Sequence, residues 1–367
     1  MTNDLLYKVA LTLIPGIGSV QAKILIENFG DAPSVFSAKE SQLKKMEGIG
    51  EIRSKAIKSF ADFTEAEEEI KFIEKYKIHP LFITDKGYPK RLLNCYDSPT
   101  LLYYKGTADL NAPRIISIVG TRNNTDYGKQ VTENLITELA EQNILVVSGL
   151  AFGIDAIAHR SALKNGMATV GVLAHGLDKL YPTEHTGLAK DMLKKNGGLL
   201  TEFRSKSKPD KHNFPTRNRI VAGMSDATIV VETGIKGGSM ITAELANGYN
   251  KEVFAIPGKI IDTKSSGCNY LIKSNKAALF TDAGDLLEAM NWSENKKTRT
   301  RKQKEILIEL NENEKIIVNI LKEKEAIHID ELNIKSNLNS STVAAAVLNL
   351  ELQNVILSLP GKLYRLA

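Results

Sequence analysis

Residues 115–122 read Ile115-Ile116-Ser117-Ile118-Val119-Gly120-Thr121-Arg122, an apolar run that ends in a glycine turn and a cation. A run of this length bounded by a turn residue is typical of a strand buried on both faces of a parallel sheet. Segments with helical periodicity, such as 129–141 and 155–164, are long enough to cross between neighbouring strands. Further strand candidates lie at 144–147, 168–173, 199–201, 228–231, 253–256 and 277–280. The pattern predicts an α/β fold with a Rossmann-like, doubly wound, mostly parallel sheet over residues 81–293.

Residues 1–80 precede this sheet and are predicted to form a helical domain. Two similar segments, 13–18 (Leu-Ile-Pro-Gly-Ile-Gly) and 45–50 (Lys-Met-Glu-Gly-Ile-Gly), each place a Gly-x-Gly turn between apolar helices. Glycine adopts the positive φ that such a turn needs and lets backbone N–H groups approach a phosphate. The repeat resembles paired helix-hairpin-helix motifs, which bind DNA backbones without sequence preference. A purely structural, SAM-like bundle is the alternative interpretation.

The chain after the sheet divides into a linker and a small domain. Residues 294–304 are strongly basic and lack apolar side chains after Lys296, so they are predicted to be a solvated linker. Residues 305–367 show helices at 312–324, 330–335 and 340–353 and then a strand pair around a Pro-Gly turn, the order of a winged helix. The expected recognition helix at 340–353 has no Lys or Arg, which a DNA-reading helix normally carries. Protein contact or regulation therefore fits this domain as well as DNA binding does.

The composition is that of a globular protein. With 367 residues, 43% hydrophobic and 25% charged, the chain can build the cores of two or three domains. The net charge of +5 permits nucleic-acid binding without requiring it. Cys95 and Cys268 have neither disulfide nor metal spacing, which suits a reducing compartment. The sequence shows no signal-peptide pattern and no apolar stretch near the ~20 residues of a membrane span. We therefore expect a cytoplasmic protein without a membrane partner.

Residues 211–219 (Lys-His-Asn-Phe-Pro-Thr-Arg-Asn-Arg) combine cations, an aromatic ring and a helix start. Pro215 fits the first turn of a helix, where its missing N–H costs nothing. A helix N-terminus offers unpaired N–H groups and a positive dipole end. Lysine and arginine attract phosphates, and Phe214 offers a face on which a base can stack. The combination predicts binding of single-stranded nucleic acid; the alternative is a core Phe214 beside a solvated basic face.

Residues that follow the strands are further candidates, because ligands of doubly wound sheets bind outside the carboxyl ends of the strands. Arg122 after the first strand places a guanidinium beside a glycine turn, which suits a phosphate oxygen. The loop after the second strand leads into a helix on which Asp155 and His159 lie one turn apart, interpreted as a structural pair that orients this loop. The candidate DNA contacts are Gly120, Thr121, Arg122, Ser148, Gly149, Gly153, Lys211, Phe214, Arg217, Asn218, Arg219, Lys236, Gly238 and Ser239.

The same strand ends argue against a cofactor. The dinucleotide fingerprint needs several glycines after the first strand and an acid about 20 residues later, whereas Gly120 stands alone. A Walker loop is absent, so we expect no ATP hydrolysis, and the six histidines lack metal-ligand spacing. No nucleophile or second carboxylate has the spacing that acid–base catalysis with Asp155 and His159 would need. The sequence predicts no cofactor, no metal and no enzymatic activity.

A set of motifs occurs in a fixed order between residues 119 and 258. They are Val119-Gly120-Thr121-Arg122, Ser148-Gly149-Leu150-Ala151-x-Gly153-Ile154-Asp155, Ala158-His159, Gly176-Leu177-Asp178, Tyr181-Pro182, Phe214-Pro215-x-Arg217-Asn218-Arg219, Gly238-Ser239-x-Ile241-Thr242-Ala243 and Pro257-Gly258. This set resembles the bacterial DNA-processing protein A family (DprA, also called Smf). The resemblance is specific over about 80–290 and looser at both ends. One departure is Gly237, where the family usually has a serine, so a contact from this position is in doubt.

The resemblance implies a non-catalytic, single-stranded-DNA-binding protein of natural transformation. Such proteins protect incoming strands, dimerise through the Rossmann-like domain and load a RecA-type recombinase. The resemblance also implies DNA contacts by Arg122, Lys211 and Phe214. Segments 239–249 and 268–275 mix apolar residues with few charges and are our candidates for the homodimer interface.

Two other functions remain as alternatives. One is a Rossmann-like enzyme that cleaves the N-glycosidic bond of nucleoside monophosphates, although its Pro-Gly-Gly-x-Gly-Thr-x-x-Glu loop is absent. The other is a transcription regulator that uses the winged helix, against which the neutral recognition helix argues.

Overall fold

The computed structural model describes residues 3–293, 310–322, 324, 326–353, 355–359 and 361–366. The chain forms two compact units, Met1–Trp292 and Ser293–Ala367. The predicted basic linker at 294–304 lies outside the described residues. Among the helices of the described ranges, none is long and apolar enough to cross a membrane.

The first unit begins with helices joined by short turns. Arg53 connects the two repeated glycine turns, because its Nε donates to the Gly16 carbonyl at 2.9 Å and its Nη1 donates to the Gly48 carbonyl at 2.9 Å. Both glycines have positive φ, which a side chain would disfavour. The role of these turns in DNA contact stays a prediction. The helices are α1 (Asn3–Leu11), α2 (Ser19–Phe29), α3 (Ala32–Ser37), α4 (Glu40–Lys44), α5 (Gly50–Ser59) and α6 (Thr64–Tyr76).

A nine-stranded sheet follows, with strand order β1-β2-β6-β5-β4-β3-β7-β8-β9. The strands β3 to β9 pair in parallel, as predicted from the apolar runs, while β1 and β2 add antiparallel pairs at one edge. The strands are β1 (His79–Phe82), β2 (Leu101–Gly106), β3 (Arg114–Val119), β4 (Ile144–Ser148), β5 (Thr169–Val172), β6 (Gly198–Thr201), β7 (Ala227–Val230), β8 (Glu252–Ala255) and β9 (Ala278–Leu279).

Helices cover both faces of this sheet, which confirms the Rossmann-like, doubly wound fold. Side chains alternate between two cores along a strand: Ile115 belongs to one and Ile116 to the other. The first core also contains side chains from the helical segment, such as Val9 and Ile70. The predicted domain boundary at residue 80 therefore falls inside one compact unit. The helices are α7 (Lys90–Leu93), α8 (Asp126–Leu139), α9 (Ile154–Lys164), α10 (Thr186–Lys194), α11 (Asn213–Met224), α12 (Gly238–Gly248), α13 (Ser266–Lys273) and α14 (Ala283–Ala289).

The second unit has the predicted winged-helix order and a core of its own. Its elements are α15 (Glu312–Leu321), β10 (Ile327–His328), α16 (Ile329–Ser336), α17 (Ser340–Leu352), β11 (Ile356–Leu359) and β12 (Leu363–Leu366). The strands form a small antiparallel sheet in the order β10-β12-β11. On α17, the expected recognition helix, Leu348 and Leu352 are 57% and 73% exposed. This surface lacks Lys and Arg, and a protein contact by this helix stays a prediction.

Candidate nucleic-acid interface

The sheet contains a topological switch point beside its central strand. β4 and β7 flank β3 on opposite sides, and the chain leaves β3 and β7 toward different neighbours. The carboxyl ends of these strands therefore enclose a crevice, the usual ligand position of a doubly wound sheet. A cleft of about 330 Å³ lies there, bordered by the loops after β3, β4 and β7 and by the starts of α11 and α12.

Most of the predicted site residues meet at this cleft, although they come from four separate segments. The predicted contacts that line it are Gly120, Thr121, Arg122, Gly149, Phe214, Arg217, Asn218, Gly238 and Ser239, and Asp155 lines it as well.

Arg217 forms the floor of the cleft and is only 4% exposed. Its Nη1 donates to the Val172 carbonyl at 2.7 Å, while its Nε has no hydrogen-bond partner among the described residues. Burial lowers the pKa of Arg217 to about 10, an effect that the Asp155 carboxylate opposes. At that pKa the guanidinium stays charged at neutral pH. Gly149 lies so close to this group that any side chain at position 149 would overlap it.

Arg122 and Phe214 form the rim. Arg122 is exposed, and its guanidinium carbon lies 5.3 Å from the centroid of the Phe214 ring. Phe214 is partly buried and belongs to none of the hydrophobic cores of the described residues, so the alternative of a core Phe214 is wrong. Pro215 lies in the first turn of α11, as predicted. The rim thus presents a cation and an aromatic ring to the same space.

The start of α12 forms the opposite wall. The first N–H groups of a helix lack intrahelical acceptors and carry the positive end of the dipole. Ser239 in this first turn is 6% exposed, and its Oγ has no hydrogen-bond partner among the described residues. A buried hydroxyl of this kind costs free energy unless a ligand or water satisfies it. An anion at this wall would satisfy the Ser239 hydroxyl and the helix N–H groups together.

Five predicted contacts do not line the cleft. Two of them are corrected, because their side chains are buried and bonded within the protein. Ser148 is fully buried and donates to the Ile118 carbonyl at 2.6 Å. Arg219 is 8% exposed and donates to Glu202 and to the Asp97 carbonyl. Neither side chain is placed to meet a nucleic acid.

The other three lie around the cleft. Gly153 has a φ of +75° and connects the loops after β3 and β4, since the neighbouring Ile154 N–H donates to the Thr121 carbonyl at 3.2 Å. Lys211 is exposed just before α11, and Lys236 is exposed in the turn before α12. Both lysines can add charge to the approach of a phosphate, and their contact with DNA stays a prediction.

The predicted pair of Asp155 and His159 is also corrected. Asp155 does orient the loop, because it accepts the Gly149 N–H at 3.0 Å. Its partner in the cleft floor is the Arg217 charge, which lowers the Asp155 pKa against the stronger raising effect of burial. His159 instead makes a hydrogen bond between its Nδ1 and the Thr169 Oγ1 at 2.7 Å. Burial lowers the pKa of His159 to about 3, so it is a neutral core side chain at physiological pH.

A row of carboxylates on α6 holds the loop that leads to the rim. Both carboxylate oxygens of Glu69, which is 3% exposed, accept the Ser205 N–H at 3.0 Å, and one also accepts the Ser205 hydroxyl at 2.5 Å. On either side, Glu65 pairs with Arg204 and Glu68 pairs with Lys206. We call these three pairs the α6 clamp. It gives the acidic residues of α6 a structural role and fixes residues 204–206 in the loop between β6 and α11, which also contains Lys211.

Sequence reasoning gave no role to two exposed aromatic residues near the rim. Tyr181 is 47% exposed and Phe152 is 41% exposed, and both border a small recess that Arg122 and Phe214 also border. The Tyr181-Pro182 dipeptide was visible as a motif, but nothing in the sequence places it beside residue 214.

Comparison with known proteins matches both units of the chain to models of one protein family. The family model for DNA recombination-mediator protein A matches residues 79–291, and the model for the DprA winged helix domain matches residues 302–362. The DNA processing protein DprA of Bacillus subtilis is 42% identical over 214 residues, which are 58% of this chain and 71% of the relative. DprA of Streptococcus pneumoniae is 40% identical over 215 residues, which are 58% of this chain and 75% of the relative.

Two solved structures are also similar. The X-ray structure of DprA from Streptococcus pneumoniae has a TM-score of 0.67 at 33% identity and covers 78% of this chain and 98% of that one. A structure of DNA processing protein A from Helicobacter pylori, described by its single-stranded-DNA-binding mode, has a TM-score of 0.53 at 31% identity. It covers 59% of this chain and 97% of that one.

Proposed function

Since this chain belongs to the DNA recombination-mediator protein A family, we propose that it binds single-stranded DNA at the cleft of the switch point. The observation that carries the proposal is the set of unsatisfied donors there. The Ser239 Oγ and the Arg217 Nε are buried with no hydrogen-bond partner in the described part of the chain, and the start of α12 and the exposed Arg122 face the same space. A phosphodiester oxygen is the ligand that these groups prefer.

Preference for single strands follows from the rim. Aromatic faces can stack only on bases that are not already paired and stacked in a duplex. Phe214 and the neighbouring Tyr181 supply such faces beside the Arg122 guanidinium. Because stacking does not distinguish one base sequence from another, we propose binding without strong sequence preference. We further propose that this binding serves the uptake and recombination of DNA during natural transformation.

We propose a non-catalytic role in the cytoplasm. The carboxylates near the cleft are engaged in structure: Glu232 accepts the Thr125 N–H at 2.9 Å and also the Thr125 hydroxyl, and Asp155 accepts the Gly149 N–H. This geometry leaves them poorly placed to act on a ribose. Incubation with AMP tests the N-glycosidase alternative directly, because release of adenine would contradict the proposal.

We also propose that the protein is a homodimer and that the protein–DNA complex loads a RecA-type recombinase. An apolar groove of about 540 Å³ is lined mainly by residues of the predicted segment 239–249, with Tyr270 from the predicted segment 268–275 and with Tyr96 and Ile235 from outside both segments. Its tyrosine and methionine side chains are of the types enriched in protein interfaces. Ile241 and Tyr270 in this groove are 42% and 44% exposed, and a second copy of the chain would cover them.

The test is a fluorescence-anisotropy titration with single- and double-stranded oligonucleotides of the same mixed sequence. We expect tighter binding to the single strand at every salt concentration, with log K falling against log[salt] by about 0.7 per phosphate contacted. Several unrelated sequences should give similar affinities. Equal or tighter binding to the duplex at moderate salt would contradict the proposal.

A further inference from the structure

The aromatic side chains at the rim form a short stack rather than one isolated ring. The Tyr181 and Phe214 rings have centroids 6.0 Å apart and are tilted by 55°. Arg122 lies over the Phe214 ring at 5.3 Å. Phe214 therefore already has two neighbours, while Tyr181 is 47% exposed at the outer end of the row.

This arrangement changes which ring is available to a base. An arginine over an aromatic face occupies the position that a stacked base would take. The face of Phe214 that Arg122 covers is therefore closed to a base unless the guanidinium moves. Tyr181 retains an open surface beside the same cation, and we propose that Tyr181 is the outer base-stacking residue of this site. Phe214 then acts as a positioning residue, because it supports both the Tyr181 ring and the Arg122 guanidinium.

The backbone of Tyr181 is fixed from inside the protein. The Tyr181 N–H donates to the Nε2 of His175, a side chain that is 1% exposed, at 3.1 Å. The other ring nitrogen, Nδ1, lies 2.9 Å from the Gly176 carbonyl and donates to it. That bond places the proton on Nδ1 and leaves Nε2 as the acceptor that Tyr181 needs. A backbone held in this way keeps the Tyr181 side chain at the rim, so less conformational freedom is lost when a base stacks on its ring.

The inference rests on the proposed function and names the base contact within it. The experiment compares binding of a short thymidine oligonucleotide and of an abasic strand of equal length and charge. We expect Tyr181→Ala to weaken binding of the thymidine strand about 5- to 150-fold, the range for one lost stacking contact. Tyr181→Phe should keep wild-type affinity, because stacking uses the ring and not the hydroxyl. On the abasic strand, Tyr181→Ala and wild type should bind equally.

Two control variants separate the possible causes. Arg122→Ala should weaken both strands, since it removes a phosphate partner. Tyr76→Ala removes a tyrosine of similar exposure, 44%, from α6 and should leave both affinities unchanged. Tyr181→Leu keeps an apolar side chain without an aromatic face and replaces Tyr181→Ala if that variant does not fold. Its melting temperature shows whether it is folded, and its affinity for the thymidine strand should then be reduced.

The outcomes differ for the inference and for the function. If Tyr181→Ala binds the thymidine strand as wild type does while Arg122→Ala is weakened, the stacking role of Tyr181 is wrong and the proposed function stands. An equal loss on the abasic strand, or wild-type affinity in a folded Tyr181→Leu, also overturns the inference. If the wild-type protein binds neither strand, it is the proposed function that fails.

Discussion

Replacing Glu69 by alanine tests how firmly the helical segment holds the DNA loop. The variant removes a buried carboxylate that accepts both the backbone N–H and the hydroxyl of Ser205. Hydrogen bonds to charged groups contribute about 1.5–3 kcal/mol each, but Ser205 is half-buried and water replaces part of the loss. We therefore expect the free energy of unfolding to fall by about 2–3 kcal/mol, which in a compact unit of this size lowers the melting temperature by about 3–5 °C.

Differential scanning fluorimetry and urea unfolding measure this loss, and Glu65→Ala is the matched control. The Glu65 side chain is 62% exposed in its pair with Arg204, so its removal should cost only about 0–1 kcal/mol. Below its melting temperature, Glu69→Ala should bind single-stranded DNA more weakly, because the loosened loop must be ordered on binding. The salt slope should stay unchanged, because Lys211 is still present to contact its phosphate. If Glu69→Ala melts within about 2 °C of wild type, the contribution to stability that we assign to the α6 clamp is wrong.

Three further outcomes are expected. Arg122→Ala and Lys211→Ala should each make the slope of log K against log[salt] shallower by about 0.7, because each variant removes one phosphate contact. Anisotropy titrations at several salt concentrations measure this slope. An unchanged slope in either variant would show that the replaced residue does not contact a phosphate. Because burial lowers the pKa of His159 to about 3, the unfolded state takes up a proton first as the pH falls. Stability should therefore decline from about pH 6.5 toward pH 3, by about 2 kcal/mol between pH 7 and pH 5, and less in His159→Gln. Parallel pH profiles for the two proteins in urea unfolding would contradict this assignment. Tyr270→Arg places a charge in the apolar groove and should convert the dimer to a monomer in light scattering at tens of micromolar; a monomeric wild type at that concentration would exclude the dimer.

The parallel part of the sheet could be predicted because each of its strands is a short apolar run. β1 and β2 could not, since Pro80 and the polar end of β2 hide their pattern, and β2, on which β1 pairs, itself pairs with β6, about 100 residues away. The glycine turns of the cleft were recognisable because they directly follow buried strands. These turns meet at one cleft because β4, β3 and β7 are neighbours in the sheet. The order of the strands in a sheet cannot be read from the sequence of any single strand.

The errors at the site have a common physical cause. Arg219 looks like a solvated cation in the sequence, but α11 buries it, whereas the similarly buried Arg217 still borders the cleft as predicted. Their acceptors, the Val172 carbonyl and Glu202, belong to other elements and carry no local signal. His159 was paired with Asp155 because they are four residues apart on a helix. In the structure, the helix turns His159 toward Thr169 and Asp155 toward the loop amides.

The close approach of Gly149 to the Arg217 guanidinium has a consequence for how this protein can change over evolutionary time. A side chain at position 149 would overlap the buried Arg217 guanidinium where it now lies, so the substitution is easiest after Arg217 has been replaced by a smaller side chain. That first step removes a buried cation, leaves the Val172 carbonyl without its donor and leaves Asp155 without its counter-charge. Loss of Arg217 alone is therefore expected to lower both the stability of the protein and the positive charge of the cleft floor. Substitutions at the two positions are therefore expected to be coupled.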